Sequence, residues 1–158
     1  MAGENPYVVA LVKEQDAINK RRGLAFLICE NDKKIDAKSV FDRLKLKADQ
    51  QLRTGFDFWL TGKTNTKRFH GWNEAENRDC FVFKWKEGSQ GHRLYGFLCH
   101  PLLEYPNFQL CVLVLHATKN RRETEPRLLK KVNDLRANDL VRRAITVATK
   151  DLKPGETK

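Results

Sequence analysis

Apolar and polar positions along the chain fall into blocks whose spacing predicts a protein of mixed strands and helices. Between Asp79 and His116 three runs have strand character. In the first, Asp79 to Lys86, side chains alternate, so Phe81, Phe83 and Trp85 share one face while Val82, Lys84 and Lys86 share the other. Glu87-Gly88-Ser89-Gln90-Gly91 supplies turn chemistry, and His92 to Cys99 returns, which predicts a hairpin. After a connection containing Pro101 and Pro106, the run Phe108 to His116 is the most continuously apolar in the chain and predicts a central strand buried on both faces.

The flanks are read in the same way. Leu24 to Cys29 predicts an internal strand, whereas the periodicity of Tyr7 to Val12 fits a strand or the start of a helix. Asp36 is placed to cap a helix running through Val40, Phe41, Leu44 and Leu52, with Gly55 interrupting or ending it and Phe56, Phe58, Trp59 and Leu60 as core cover under a loop. Thr124 is expected to open a helix that buries Leu128, Leu129, Val132 and Leu135, and Asn138 or Asp139 to cap a last one that buries Leu140, Val141, Ala144, Ile145 and Ala148. This order predicts an α+β fold: a largely antiparallel sheet of about four strands with helices packed on one side. Residues 1–158 read as a single domain, with an N-terminal extension over 1–23, a core over 24–149 and a flexible tail over 150–158.

Charge changes the picture from fold to partner. The chain carries 30 Lys and Arg against 20 Asp and Glu, a formal charge of +10. The excess is concentrated: residues 60–143 hold 16 basic and 9 acidic side chains, +7 of the total. A polyanion is the natural partner of such a surface, and counterion release from a phosphate backbone is the physical term that binds it. An acidic protein partner or a merely soluble basic surface fits the same charge.

Cysteine usage removes other classes. Cys29, Cys80, Cys99 and Cys111 are far apart, each in an apolar run, and no Cys/His spacing resembles a zinc site, so neither a disulfide framework nor a metal or other cofactor is expected. Clustered carboxylates of the kind a divalent metal needs are also missing from the predicted strands, whose acids are the terminal Asp79 and Glu87. No signal peptide or apolar run near 20 residues is found, which predicts a cytoplasmic protein with no membrane association.

The polar stretch Gly62 to Asn77 combines Lys63, Lys67 and Arg68 with Phe69, His70 and Trp72, the mixture that single-stranded RNA sites use; an ordinary solvated loop anchored by the aromatics is the competing reading. Among the histidines, His116 at the end of the third run is the best acid/base candidate, because imidazole titrates near neutrality, or else it is a satisfied histidine at a strand terminus. His92 and His100 read as surface or turn residues.

Several of these segments together resemble the RelE/HigB-type toxins of bacterial toxin-antitoxin modules: Lys67-Arg68-Phe69-His70-Gly71, the strand Asp79 to Lys84, the Gly91-His92-Arg93-Leu94-Tyr95 that follows the turn, the apolar strand ending in His116-Ala117-Thr118-Lys119-Asn120-Arg121-Arg122, and the amphipathic helix after Thr124. The resemblance spans roughly Leu24 to Ile145. It implies a metal-independent endoribonuclease that cuts mRNA, in many members on the ribosome, and that a cognate antitoxin neutralises. By motif position it implies catalytic roles for Lys84 and Arg93 and a basic strand end at Lys119 to Arg122; the residues themselves add Tyr95 as a neighbour of Arg93, His116 as acid/base, and RNA contacts from Lys67, Arg68, His70, Lys86, Lys119, Arg121 and Arg122.

The chemistry is consistent with those residue types. Attack by a ribose 2′-hydroxyl needs a proton acceptor, cationic donors for the charge growing on the phosphate, and an acid for the leaving oxygen; the planar fork of Arg suits the second role. Strand parity then sets a condition: Lys84 and Lys86 must share a face with Arg93 for one phosphate to meet them all. Without catalysis, the same surface makes an RNA- or DNA-binding module, or a domain for an acidic protein partner.

Overall fold

The computed structural model describes residues 4–12, 21–119 and 126–153. Its centre is a six-stranded mixed sheet, in the order β1-β2-β6-β5-β4-β3. The strands are β1 (Tyr7–Leu11), β2 (Arg22–Cys29), β3 (Phe69–Gly71), β4 (Cys80–Glu87), β5 (Gln90–Cys99) and β6 (Gln109–Lys119). Every neighbouring pair is antiparallel except β2 and β6, which run parallel from Arg22↔Gln109 to Phe26↔Leu113. The α+β class therefore holds, with six strands where about four were expected and one parallel pair, β2 with β6, inside the sheet. Tyr7–Leu11, assigned from the sequence to an extension, pairs with β2 over five residues as an edge strand.

Among the described residues four α-helices cover the sheet: α1 (Ala37–Asp42), α2 (Leu46–Leu60), α3 (Pro126–Ala137) and α4 (Asp139–Thr149). They lie on both faces rather than one. On one face α1 and α2 close over Leu24, Phe26, Phe81, Phe83, Trp85, Leu94, Cys111 and Leu113. On the other, α3 and α4 close over Val9, Ala25, Leu27, Val82, Phe97, Leu110 and Val112. The reason lies in the strands themselves. β2 is buried at six of its eight positions, on both faces, and a strand with no polar face needs cover on each side.

The helix expected from Asp36 to Leu52 is two helices. Leu44 N–H bonds to Phe41 O, tightening the end of α1, and Lys45 is extended at φ −75°, ψ 162° before α2 begins. No Gly or Pro marks that bend in Arg43-Leu44-Lys45, so apolar spacing alone reads straight through it. Phe56, Phe58, Trp59 and Leu60 belong to the last turns of α2, with Gly55 inside it rather than ending it, and Phe56 meets Phe83 edge-on at 4.9 Å. Arg22 Nη1 donates to the Trp59 carbonyl at 2.6 Å, satisfying one of the acceptors left over at the helix end. Asn138 caps α4 through Oδ1, which accepts from Leu140 N and Val141 N.

The hairpin of β4 and β5 closes more tightly than the sequence suggested. Gly88 takes φ +62° at the first turn position, the one a two-residue II′ loop reserves for glycine, so β5 starts at Gln90. Between β5 and β6 the register slips by one residue: Tyr95 faces Leu115 but Gly96 faces Leu113. The extra residue is Val114, and both Val114 and Leu115 are buried in the α3/α4 core, which strict alternation forbids. Gly96 permits the bulge, because a Cβ there would stand 2.1 Å from the Val112 carbonyl oxygen.

Candidate nucleic-acid interface

Register places the basic residues. Lys84 lies directly opposite Arg93, so the two side chains leave the same face, with Cβ atoms about 4.5–5.5 Å apart. The parity condition set by the sequence is met. Lys86, opposite Gly91, is exposed on the same face one row further toward the turn. Arg93 is in turn opposite Ala117, and Lys119 occupies the register position opposite Gly91 on β6. Arg121 and Arg122 lie outside the described residues.

A histidine joins this face from the sheet edge. His70 on β3 pairs with Val82, and Val82 pairs with Tyr95, so His70 sits one row from Lys84 and on the same side. Its Nδ1 donates to the Gly71 carbonyl at 2.9 Å, which puts the lone pair on Nε2. Trp72 packs on His70 at 4.8 Å between centroids and on Tyr95 at 6.2 Å. The result is a half-buried aromatic shelf ending in a row of cations. Glu87, two residues beyond Trp85, belongs to the other face, where its Oε2 lies 3.2 Å from His92 Nε2. Lys84 Nζ donates to the Thr66 carbonyl, which holds its ammonium at the β3 side of the row.

The remaining candidates separate from this row. Tyr95 is on the correct face but 1% exposed, beneath Trp72, and supports the shelf from below without reaching a substrate. Arg68 turns to the α2 side, where Nη1 donates to the Gln51 carbonyl at 3.1 Å and the guanidinium lies over Phe58. Lys67 is exposed in the loop before β3, where its backbone N–H bonds to Asn65 Oδ1.

His116 is on the opposite face. Leu110, Val112 and Val114 point toward α3 and α4, and strict alternation would send His116 after them, beside Arg93. The bulge at Val114 and Leu115 reverses the parity, so His116 pairs with Leu94 on the α1/α2 face. There it meets His92, Nδ1 to Nε2 at 2.9 Å, and the two rings stack at 5.2 Å. His92 Nε2 is 3.2 Å from Glu87 Oε2, and the Trp85 ring lies against both imidazoles, 5.2 Å from His92 and 5.7 Å from His116 between centroids. Asp36 accepts the His116 backbone N–H at 2.8 Å instead of capping α1. Burial, and next the neighbouring His92, hold the His116 pKa below the usual imidazole value, against an opposing pull from Asp36 and Glu87.

The sequence reading missed His92, Glu87 and Asp36 as a cluster. The signal that would have found it is Gly96, a glycine inside a strand pattern, which marks a bulge or close backbone approach.

Neither Cys80 nor Cys99 offers a nucleophile: burial pushes the Cys80 thiol up to about 11 and Cys99 up to about 12, so both stay protonated at neutral pH. Among the described residues no cluster of three or more His, Cys, Asp or Glu is arranged to hold a metal ion, and no helix is long and apolar enough to cross a membrane.

Comparison with protein-family models, curated proteins and solved structures finds no match to this chain.

Proposed function

We propose that this chain is a metal-independent endoribonuclease that binds single-stranded RNA across the open end of β4, β5 and β6. The observation that carries the proposal is the Lys84–Arg93 cross-strand pair with His70 one row away on the same face. A phosphate between the two side chains is reached by both, with the Arg93 fork on two of its oxygens. Trp72 supplies an aromatic face for a neighbouring base, and Lys86 a contact to the next phosphate.

In this scheme the 2′-oxygen attacks phosphorus while its proton passes to His70 Nε2. Charge on the non-bridging oxygens is held by Lys84 and Arg93. The P–O5′ bond breaks and the 5′-oxygen takes a proton from solvent, leaving a 2′,3′-cyclic phosphate and a 5′-hydroxyl. An mRNA substrate on the ribosome and a neutralising antitoxin belong to the proposal through the resemblance to RelE/HigB-type toxins.

One observation favours a second reading, a binding module without cleavage: the bulge removes His116 from the face and burial removes Tyr95, leaving His70 as its histidine. Incubation of the protein with labelled mRNA in EDTA decides between them. The nuclease cuts, and Lys84→Ala and Arg93→Ala each slow cutting by about 100-fold or more; the module binds and releases intact RNA.

A further inference from the structure

The cluster on the α1/α2 face is a chain of donors and acceptors with a single direction. Glu87 Oε2 lies 3.2 Å from His92 Nε2; a proton on that nitrogen faces the carboxylate and leaves a lone pair at Nδ1. His116 must then donate from Nε2 at 2.9 Å, leaving its own lone pair on Nδ1. Trp85 lies nearly parallel to His92, at 13°, and its buried Nε1 makes no hydrogen bond among the described residues. An unsatisfied buried donor beside two stacked imidazoles is not an arrangement that maximises stability, and such groups are tolerated where a site has another task.

Among the described residues the charged groups that face the pair are Asp36 and Arg43, at the two ends of α1, and Glu87 from the hairpin. One proton, entering at His116 Nδ1, is opposed by burial and partly offset by the two carboxylates, and it leaves the His92–His116 bond intact. A second has nowhere to go except His92 Nδ1. That puts two N–H donors head to head at the distance of one hydrogen bond.

We propose that Glu87, His92 and His116 form a proton-binding latch: it holds β5 to β6 while it carries no more than one extra proton and releases them when it takes a second. The ligand of this site is the proton, and its readout is mechanical. The row joining Arg93 to Ala117 lies between the rows of His92 with Thr118 and Leu94 with His116, so opening the latch displaces Arg93. Acid therefore weakens the phosphate site on the other face, a consequence that rests on the RNA-binding reading of that face.

The experiment is a pH titration from 8 to 4.5 of the full chain with labelled imidazoles, followed by NMR, with amide exchange read in parallel. The latch predicts that His92 and His116 both carry Nε2–H at neutral pH and titrate in two coupled steps. It also predicts that exchange at Arg93 and Ala117 rises only with the second step. His92→Asn, whose amide replaces Nδ1 without a charge, removes the second step and keeps those amides protected. Two independent single-proton titrations, or exchange that rises equally in His92→Asn, overturn the latch.

RNA affinity measured alongside separates the two proposals. The latch predicts at least a threefold weakening at pH 5 relative to His92→Asn, which retains His70. RNA that fails to bind at any pH removes the interface reading and leaves the latch to be judged on the titration. RNA that binds equally at pH 5 in both proteins overturns the link between the two faces.

Discussion

Single side chains decide where the chemistry is. His70 and His116 are both strand histidines, yet only His70 shares a face with Lys84 and Arg93. Replacing His70 with Ala is expected to lower the cleavage rate by about 10²–10⁴, the range associated with one acid/base group, while Tyr95→Phe leaves it within a few-fold of wild type; single-turnover cleavage rates check both.

His116 contributes in a different way. Its folded pKa is lowered, so the unfolded chain binds the proton more readily. The stability that follows is fully present above about pH 6.5 and is lost as pH falls through the folded value. Urea melts at pH 7.5 and pH 5 should show wild type losing midpoint on acidification by more than His116→Gln, which has no imidazole to titrate.

The elements carry the main lesson about what could be read in advance. The pairing of Lys84 with Arg93 was legible only as a condition: alternation along Phe81, Phe83 and Trp85 fixes the basic face of β4, but a turn spread over Glu87 to Gly91 left the register of β5 open, and the two-residue loop at Gly88 and Ser89 sets it. The position of His116 was not. Alternation from Leu110 through Val114 assigns it to the Arg93 face, and one extra residue reverses the assignment.

Gly96 is the residue on which that reversal depends. In Gly96→Ala the added Cβ meets the Val112 carbonyl at 2.1 Å and the Leu113 Cα at 2.9 Å, backbone atoms that cannot rotate away. A loss of roughly 2–4 kcal/mol in denaturant melts is expected, well above the cost of an ordinary strand Gly→Ala change. The split of the first predicted helix into α1 and α2 was hidden for a simpler reason: the bend at Lys45 uses residues that are equally at home in a helix.

At the scale of the molecule, the order of apolar runs pointed to the α+β class and composition to the charge, and topology was the part left over. Leu24–Cys29 and Phe108–His116 are apolar on both faces, a pattern that demands helices on both sides of the sheet. That demand outweighs the expectation of one-sided cover. The same arrangement leaves the turn end of β4 and β5 polar on the α3/α4 side, where Lys84, Lys86 and Arg93 stand.

For single-stranded RNA each phosphate contact contributes about 0.7 to the slope of log affinity against log salt. Lys86→Ala should reduce that slope by about this amount without moving the cleavage position. A slope that does not change places Lys86 outside the RNA path.

The most direct test of the central claim is the mapping of new RNA ends in EDTA by wild type, His70→Ala, Arg93→Ala and His116→Gln, on a substrate with and without a 2′-deoxy residue at the scissile position. The proposed site predicts cuts by wild type and His116→Gln that end in a cyclic phosphate, loss of cutting in His70→Ala and Arg93→Ala, and none on the deoxy substrate. Cutting that survives in Arg93→Ala but vanishes in His116→Gln would move the active site to the other face of the sheet and contradict the account.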